Sequence, residues 1–331
     1  MRLSATLALC LLMLGCATPQ TRRLMESPPA TLPAKILLED VSFLSQQTYY
    51  CGPAALAMTM NYHGLDISQQ ALARAVYVPE LKGSLQAEML SATRSEGFLA
   101  YVLAPELRSL LAEIAAGHPV VVLQNLGVSW YPVWHYAVAI GYDLDAGELI
   151  LHSGDNAYYR AALRVFERTW ARGDYWALAP LPPNVMPRDD NPLRFLQAAA
   201  ALEETGHTRA AREAYTAATR RWPDNLVAHM GVGNTRYAAG DVRGAARAFA
   251  IATALAPDSG AAHNNLAVSL SALGCDGAAL AAARRAIAVD IDSDPRFRET
   301  LDEVRVAATG GPAPERCARF DATDARQTHF H

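Results

Sequence analysis

Ser45-Gln46-Gln47-Thr48-Tyr49-Tyr50-Cys51-Gly52-Pro53-Ala54-Ala55-Leu56 is the stretch on which the reading of this 331-residue chain turns. Pro53 suits a first helical position, because the amide it lacks would be unpaired there anyway. Ala54 to Tyr62 then reads as a buried helix that stops at Gly64. Cys51 therefore stands at the N-terminus of an apolar helix, where free amides and the helix dipole favour a thiolate. A glutamine a few residues upstream can offer its side-chain amide to a developing oxyanion, beside the Cys51 amide. The plainer reading of the same residues is a small buried cysteine that opens a core helix.

A thiolate nucleophile needs a base, and the region after it offers His63, His118, His135 and His152. Trp134 to Asp143 is rich in strand formers and ends in a turn containing glycine, which places His135 at the start of a buried strand. From there an imidazole can project from the sheet edge toward a helix terminus. His63 closes the Cys51 helix about three turns away and so points from its wrong end. His118, in Gly117-His118-Pro119, precedes the strand Val120 to Gln124 and reads as a turn residue. A cysteine followed, far downstream, by its histidine is the order found in papain-like enzymes.

Gln46 to Leu56 taken with His135 to Asp143 resembles the bacteriocin-processing (double-glycine leader) cysteine peptidases and their periplasmic relatives in the papain-like clan, over roughly residues 38–182. Both the Gln…Cys-Gly-Pro-Ala motif and the His-Tyr-x-Val-x-x-Gly-Tyr-Asp motif of that family are present. The resemblance implies an α+β papain-like fold with Cys51 as nucleophile, His135 as general base and Gln46 as oxyanion donor. Gln47 is the alternative donor, because the spacing to Cys51 is a residue or two shorter than in papain-like enzymes generally. The family's third member, an Asp-Pro that orients the histidine, has no counterpart here. The next strand, Glu148 to Leu151, runs into His152-Ser153-Gly154-Asp155-Asn156. Asp155 is the nearest carboxylate, Asn156 is the alternative, and a third member can also be missing where other groups hold the imidazole.

Downstream, a 34-residue period sets the architecture. Gly206, Gly240 and Gly274 are 34 apart, as are Ala211, Ala245 and Ala279, and Ala218, Ala252 and Ala286. Tyr215 and Phe249 hold one bulky position, Pro223 and Pro257 the terminating one, and Phe195, His229 and His263 a helix-packing one. The pattern resembles the tetratricopeptide repeat (TPR), a helix–turn–helix unit that stacks into an all-α solenoid. His229 and His263 are read as packing residues and not as metal ligands.

At the other end, Arg2 precedes an apolar run, Leu3 to Leu14, that is too short to span a bilayer but suits a signal peptide. Met13-Leu14-Gly15-Cys16 resembles the lipobox of bacterial lipoproteins, in which Cys16 would be lipidated; Ala17 in place of Asp implies the periplasmic side of the outer membrane. The expected organisation is a signal peptide at 1–15, a tether at 16–37, a papain-like cysteine peptidase-like domain at 38–185, three TPR repeats with a capping helix at 190–308, and a tail at 309–331. Cys275 in a repeat turn and Cys317 in the tail are able to pair in the periplasm.

Composition narrows the function classes. Apolar residues make up 51% and charged residues 19%, as in a folding chain. With 29 basic against 33 acidic residues and a net charge of −4, no basic excess exists to neutralise nucleic-acid phosphates. No metal-ligand cluster, phosphate loop or dinucleotide fingerprint points to a cofactor. The expected function is an exported, lipid-anchored cysteine peptidase acting on a peptide or protein of the cell envelope, with the repeats recruiting substrate or a protein partner. The alternative is an inactive peptidase-like domain in an assembly scaffold.

Overall fold

The run Trp134–Asp143 carries no charge before its last residue and becomes the central strand of an antiparallel sheet. The computed structural model describes residues 18–45, 50–128, 130–290, 294–308 and 317. The chain divides into two compact units, Met1–Arg194 and Phe195–His331. In chain order the first contains α1 (Pro19–Glu26), β1 (Lys35–Leu37), α2 (Cys51–Tyr62), α3 (Gln69–Val76), a 3-10 turn at Pro79–Leu81, α4 (Gln86–Ser95), β2 (Leu99–Val102), α5 (Leu107–Ala115), β3 (Val120–Asn125), β4 (Trp134–Asp143), β5 (Glu148–Ser153), β6 (Asn156–Ala162), α6 (Leu163–Ala171) and β7 (Ala177–Leu181).

The sheet order is β2-β7-β3-β4-β5-β6, with β1 paired to the far part of β4. Every pairing is antiparallel. Strand β3, and β4 from Tyr136 to Tyr142, are buried on both faces, which is why they read as continuous apolar runs and not as an alternation. β4 holds one extra residue: Gly141 pairs with Ile150 but Ala139 pairs with Leu151, so Ile140 is a bulge.

Residues 16–37, expected as a tether, are instead built into the domain over their described part. Pro19 opens α1, and Thr21 and Leu24 are buried. The buried carboxylate of Glu167 on α6 accepts the Gln20 and Thr21 amides at 3.0 and 2.7 Å, which satisfies the free end of the short helix. The Gln20 side chain in turn accepts the Leu107 amide at the start of α5. This clamp joins residues almost 150 positions apart, so no local pattern announces it.

The second unit is helical: α7 (Pro192–Glu204), α8 (Thr208–Arg221), α9 (Leu226–Ala238), α10 (Val242–Leu255), α11 (Gly260–Ala272), α12 (Asp276–Val289) and α13 (Pro295–Ala307). The 34-residue period becomes three helix pairs followed by α13. The small residues of the period are the buried contacts, Ala211, Ala245 and Ala279 among them. A Cβ added to Gly233 would lie 2.3 Å from the Phe249 ring, so the aromatic of one helix occupies the notch its neighbour's glycine leaves. His229 and His263 each bond through Nε2 to the carbonyl of the proline six residues earlier, Pro223 at 2.7 Å and Pro257 at 3.1 Å. They are packing residues with a repeated polar partner. Cys275 and Cys317 form a disulfide that pins the chain beyond α13 to the buried cluster around Leu270 and Leu301.

Phe249→Ala empties the Gly233 notch and should lower the unfolding free energy by about 3–5 kcal/mol. Chemical denaturation of the full chain, followed by helical circular dichroism, checks this; a loss below about 1 kcal/mol would contradict the packing described.

Candidate active site

Helix α2 begins at Cys51 itself, two residues before Pro53, and Gly52 to Met60 are all buried. Gly52 is needed for this: a Cβ there would meet the Ser84 side chain at 2.6 Å and the Met89 sulfur at 3.0 Å. The Cys-Gly-Pro-Ala sequence thus lets the helix N-terminus press against the segment before α4 and brings the cysteine to the sheet. The backbone amides of Tyr136, one residue after His135, and of Gly52 and Cys51 favour the charged form of the Cys51 thiol. The start of α2 thus lies near the start of β4, where the residue after His135 acts on the Cys51 thiol, although 84 positions separate Cys51 from His135 in the chain.

The imidazole is held from β5. His135 Nε2 lies 2.9 Å from Ser153 Oγ. Register explains the contact: Val138 pairs with His152, which puts Ser153 level with Ala137 and on the same face as His135, one diagonal step away. Asp155 sits elsewhere, in the two-residue turn Gly154-Asp155 between β5 and β6, and accepts a hydrogen bond from Ser45 Oγ at 2.8 Å. Asn156 is the first residue of β6 and is exposed. Ser153 was not singled out by sequence reasoning. Its only signal is the β4 bulge, since an unbroken ladder would turn Ser153 to the opposite face.

The other histidines are accounted for. His152 is fully buried, accepts the Tyr158 amide at Nδ1 (3.2 Å) and donates from Nε2 to the Val41 carbonyl (2.9 Å), so both ring nitrogens are used. His118 Nδ1 pairs with the buried Glu113 carboxylate at 2.7 Å, and the other carboxylate oxygen accepts the Arg188 and Asp189 amides. His63, at the far end of α2, packs on His118 and Phe98, and burial pushes its pKa down to about 4. Gln46, Gln47 and Cys16 lie outside the described residues.

The electrostatics differ from the expectation of a preformed thiolate. Burial pushes the Cys51 thiol up, against the three amides that favour its charged form. Burial also pushes the His135 imidazole down. At neutral pH Cys51 therefore rests as a thiol and His135 as a neutral imidazole, because a helix terminus contributes less than desolvation costs a charge. Among the described residues no group of three or more acids, histidines and cysteines is placed to hold a metal ion.

The Peptidase_C39 like family model matches residues 38–175. No curated protein matches the sequence. A C39-like peptidase structure from Bacillus anthracis is 18% identical, with a TM-score of 0.37 over 44% of this chain and 97% of that one. The peptidase domain of Streptococcus ComA, a bi-functional ABC transporter involved in a quorum sensing pathway, is 20% identical, with a TM-score of 0.35 over 42% and 98%. The first TPR of Spaghetti (RPAP3), bound to an HSP90 peptide, is 16% identical, with a TM-score of 0.34 over 35% and 91%. Residues 38–175 thus match the C39-like peptidases, and the helices that follow carry the 34-residue period read in the sequence.

Cys51 is the free thiol among the described residues. Its alkylation rate should rise with pH through a midpoint above about 8.5, the ordinary thiol value. Peptide-resolved iodoacetamide labelling between pH 5 and 10 reads this directly; a rate already saturated at about pH 7 would mean that the amides outweigh burial.

Proposed function

We propose that the chain is an exported, lipid-anchored cysteine peptidase that cleaves peptide bonds in a peptide or protein of the cell envelope. The observation that carries this reading is the placement of Cys51 at the N-terminus of α2, close enough to β4 for the backbone amide of Tyr136, the residue after His135, to act on its thiol. With Nε2 donating to Ser153 Oγ, His135 keeps Nδ1 as the nitrogen that takes the Cys51 proton. The Cys51 sulfur attacks the scissile carbonyl as its proton passes to His135, and Gln46 with the backbone at Cys51 steadies the oxyanion. His135 then protonates the leaving amine, and water hydrolyses the thioester by the same route in reverse. Because the resting pair is neutral, proton transfer accompanies attack and does not precede it.

Export is supported by the Leu3–Leu14 run, the lipobox-like Leu14-Gly15-Cys16 and the Cys275–Cys317 disulfide, since such bonds persist in oxidising compartments. The repeats supply the partner site in this reading, as TPR repeats generally do for peptides. Exposed Val227 on α9 provides apolar contact area for it. Tethering such a site to the protease raises the local substrate concentration.

Cys51→Ala and His135→Ala should each lower kcat on an envelope-protein substrate by at least about 100-fold. Ser153→Ala should lower kcat by roughly tenfold with KM unchanged, because it loosens the imidazole without touching substrate, and Asp155→Ala should leave kcat within about twofold. Steady-state kinetics on the four variants decides the assignment; an Asp155→Ala loss larger than that of Ser153→Ala would reverse it.

A further inference from the structure

The segment between β3 and β4, Leu126-Gly-Val-Ser-Trp-Tyr-Pro-Val-Trp134, contains no charged residue and is not used by the chemistry above. Its large side chains point outward: Trp130 is 85% exposed, Tyr131 74% and Trp134 54%, with Leu126, Val128 and Val133 also exposed. Its described residues, 126–128 and 130–134, are tied together. The Leu126 amide bonds to the Val133 carbonyl at 2.9 Å, Val128 and Tyr131 exchange amide bonds, and Asn125 Oδ1 accepts the Gly127 and Val133 amides at 3.0 Å each. Gly127 is obligatory, because a Cβ there would lie 2.3 Å from the Tyr131 carbonyl oxygen. A fixed hairpin that holds two tryptophans and a tyrosine in water, with no charge among them, has the composition of a membrane-interface anchor.

Topology says what covers it. β2 and β3 both run toward the end of the sheet where the hairpin begins, since each pairs antiparallel with β7. α5 starts at that same end, and Gln20 of α1 bonds both its Leu107 amide and the Pro105 carbonyl. α1 then runs away from it, reaching the Gly147 turn at the opposite end with Met25. The first described residue, Thr18, thus leaves the domain at the hairpin end. Cys16 lies two residues upstream, at most about 7 Å of chain. The opposite end of the sheet is charged, with Lys35 paired to Asp143 at 3.3 Å and Arg160 to Glu148 at 3.0 Å.

We infer that the Leu126–Trp134 hairpin is a second membrane contact, seating Trp130, Tyr131 and Trp134 in the headgroup region of a phospholipid bilayer with the start of β4 facing the lipid surface. The inference rests partly on the proposed acylation of Cys16, which fixes which end of the domain approaches the membrane; the exposure and composition of the hairpin are independent of it. A single acyl chain binds a membrane only marginally, and a second apolar contact is what makes such anchoring stable.

The full chain, incorporated in phosphatidylethanolamine–phosphatidylglycerol vesicles carrying bromine on the upper acyl positions, tests this by tryptophan quenching. The wild type should be quenched and blue-shifted. Trp130→Ser with Trp134→Ser should lose the quenchable emission, while its three remaining tryptophans emit as before. In a Cys16→Ser background the same quenching difference should persist, and the double substitution should weaken vesicle partitioning by roughly tenfold. Mass spectrometry of Cys16 reports acylation separately, so an unmodified Cys16 with quenched hairpin tryptophans removes the lipoprotein reading and keeps this one. Equal quenching in wild type and double variant overturns the inference. So does emission that vesicles leave unchanged but an apolar peptide shifts, which would make the hairpin a protein-docking surface.

Discussion

Strand β4 is hydrogen-bonded to β3 and β1 along one edge and to β5 along the other, so its register constrains most of the first unit. The extra residue at Ile140 is where that register is set. Before the bulge, Val138 pairs with His152; after it, Gly141 pairs with Ile150. Without the bulge His152 would pair with Ala139 and share a face with His135, and Ser153 would turn away. With it, His152 turns to the other face, where it closes on the Val41 carbonyl upstream of Cys51, and Ser153 receives the imidazole. Gly141 belongs to the same device, because the Ile36 carbonyl approaches to 2.5 Å of where its Cβ would be. A single inserted residue thus decides which polar side chain meets His135 and which becomes structural.

The second constraint is desolvation. The N-terminus of a helix lowers a charge's free energy by roughly 0.3–1 kcal/mol, whereas burial shifts a titratable group by as much as 3–5 pKa units. At Cys51 the two act in opposition, and burial prevails even with three backbone amides favouring the charged form. At His135 burial acts unopposed. The motif alone suggests a thiolate because it shows the helix start and not the walls around it. A neutral pair suits a site in which the substrate completes the enclosure, since charge then develops only where the reacting carbonyl can share it.

What was legible in the sequence follows from how local each signal is. The 34-residue period is repeated three times over, so the helix pairs and their small-residue contacts could be read without knowing any tertiary contact. The apolar helix after Cys51 and the strand after His135 were legible for the same reason, being continuous buried runs. Ser153 was not, because one inserted residue reverses the face it occupies and no residue type marks Ile140 as a bulge. Asp155 drew attention as the nearest carboxylate in sequence, but the positive φ of Gly154 makes residues 154–155 a tight turn that gives Asp155 to Ser45. The α1 clamp was hidden because Gln20 and Glu167 carry no mutual signal across the chain.

That clamp bears on how the chain would be processed. Glu167 is buried, and its two oxygens are satisfied by the Gln20 and Thr21 amides. Removing α1 would leave a buried carboxylate unpaired, which costs several kcal/mol for a charge taken out of water. It would also uncover Leu24 and strip the Gln20 cap from α5. Cleavage before Cys16 spares all of this, leaving two residues between the new terminus and Pro19. Cleavage ten residues further on would not. Were the proposed processing to occur before Cys16, it would leave the domain intact, whereas the domain needs nearly everything from α1 onward. A chain anchored there has almost no slack, so its orientation at the membrane would be set by the fold and not by a linker.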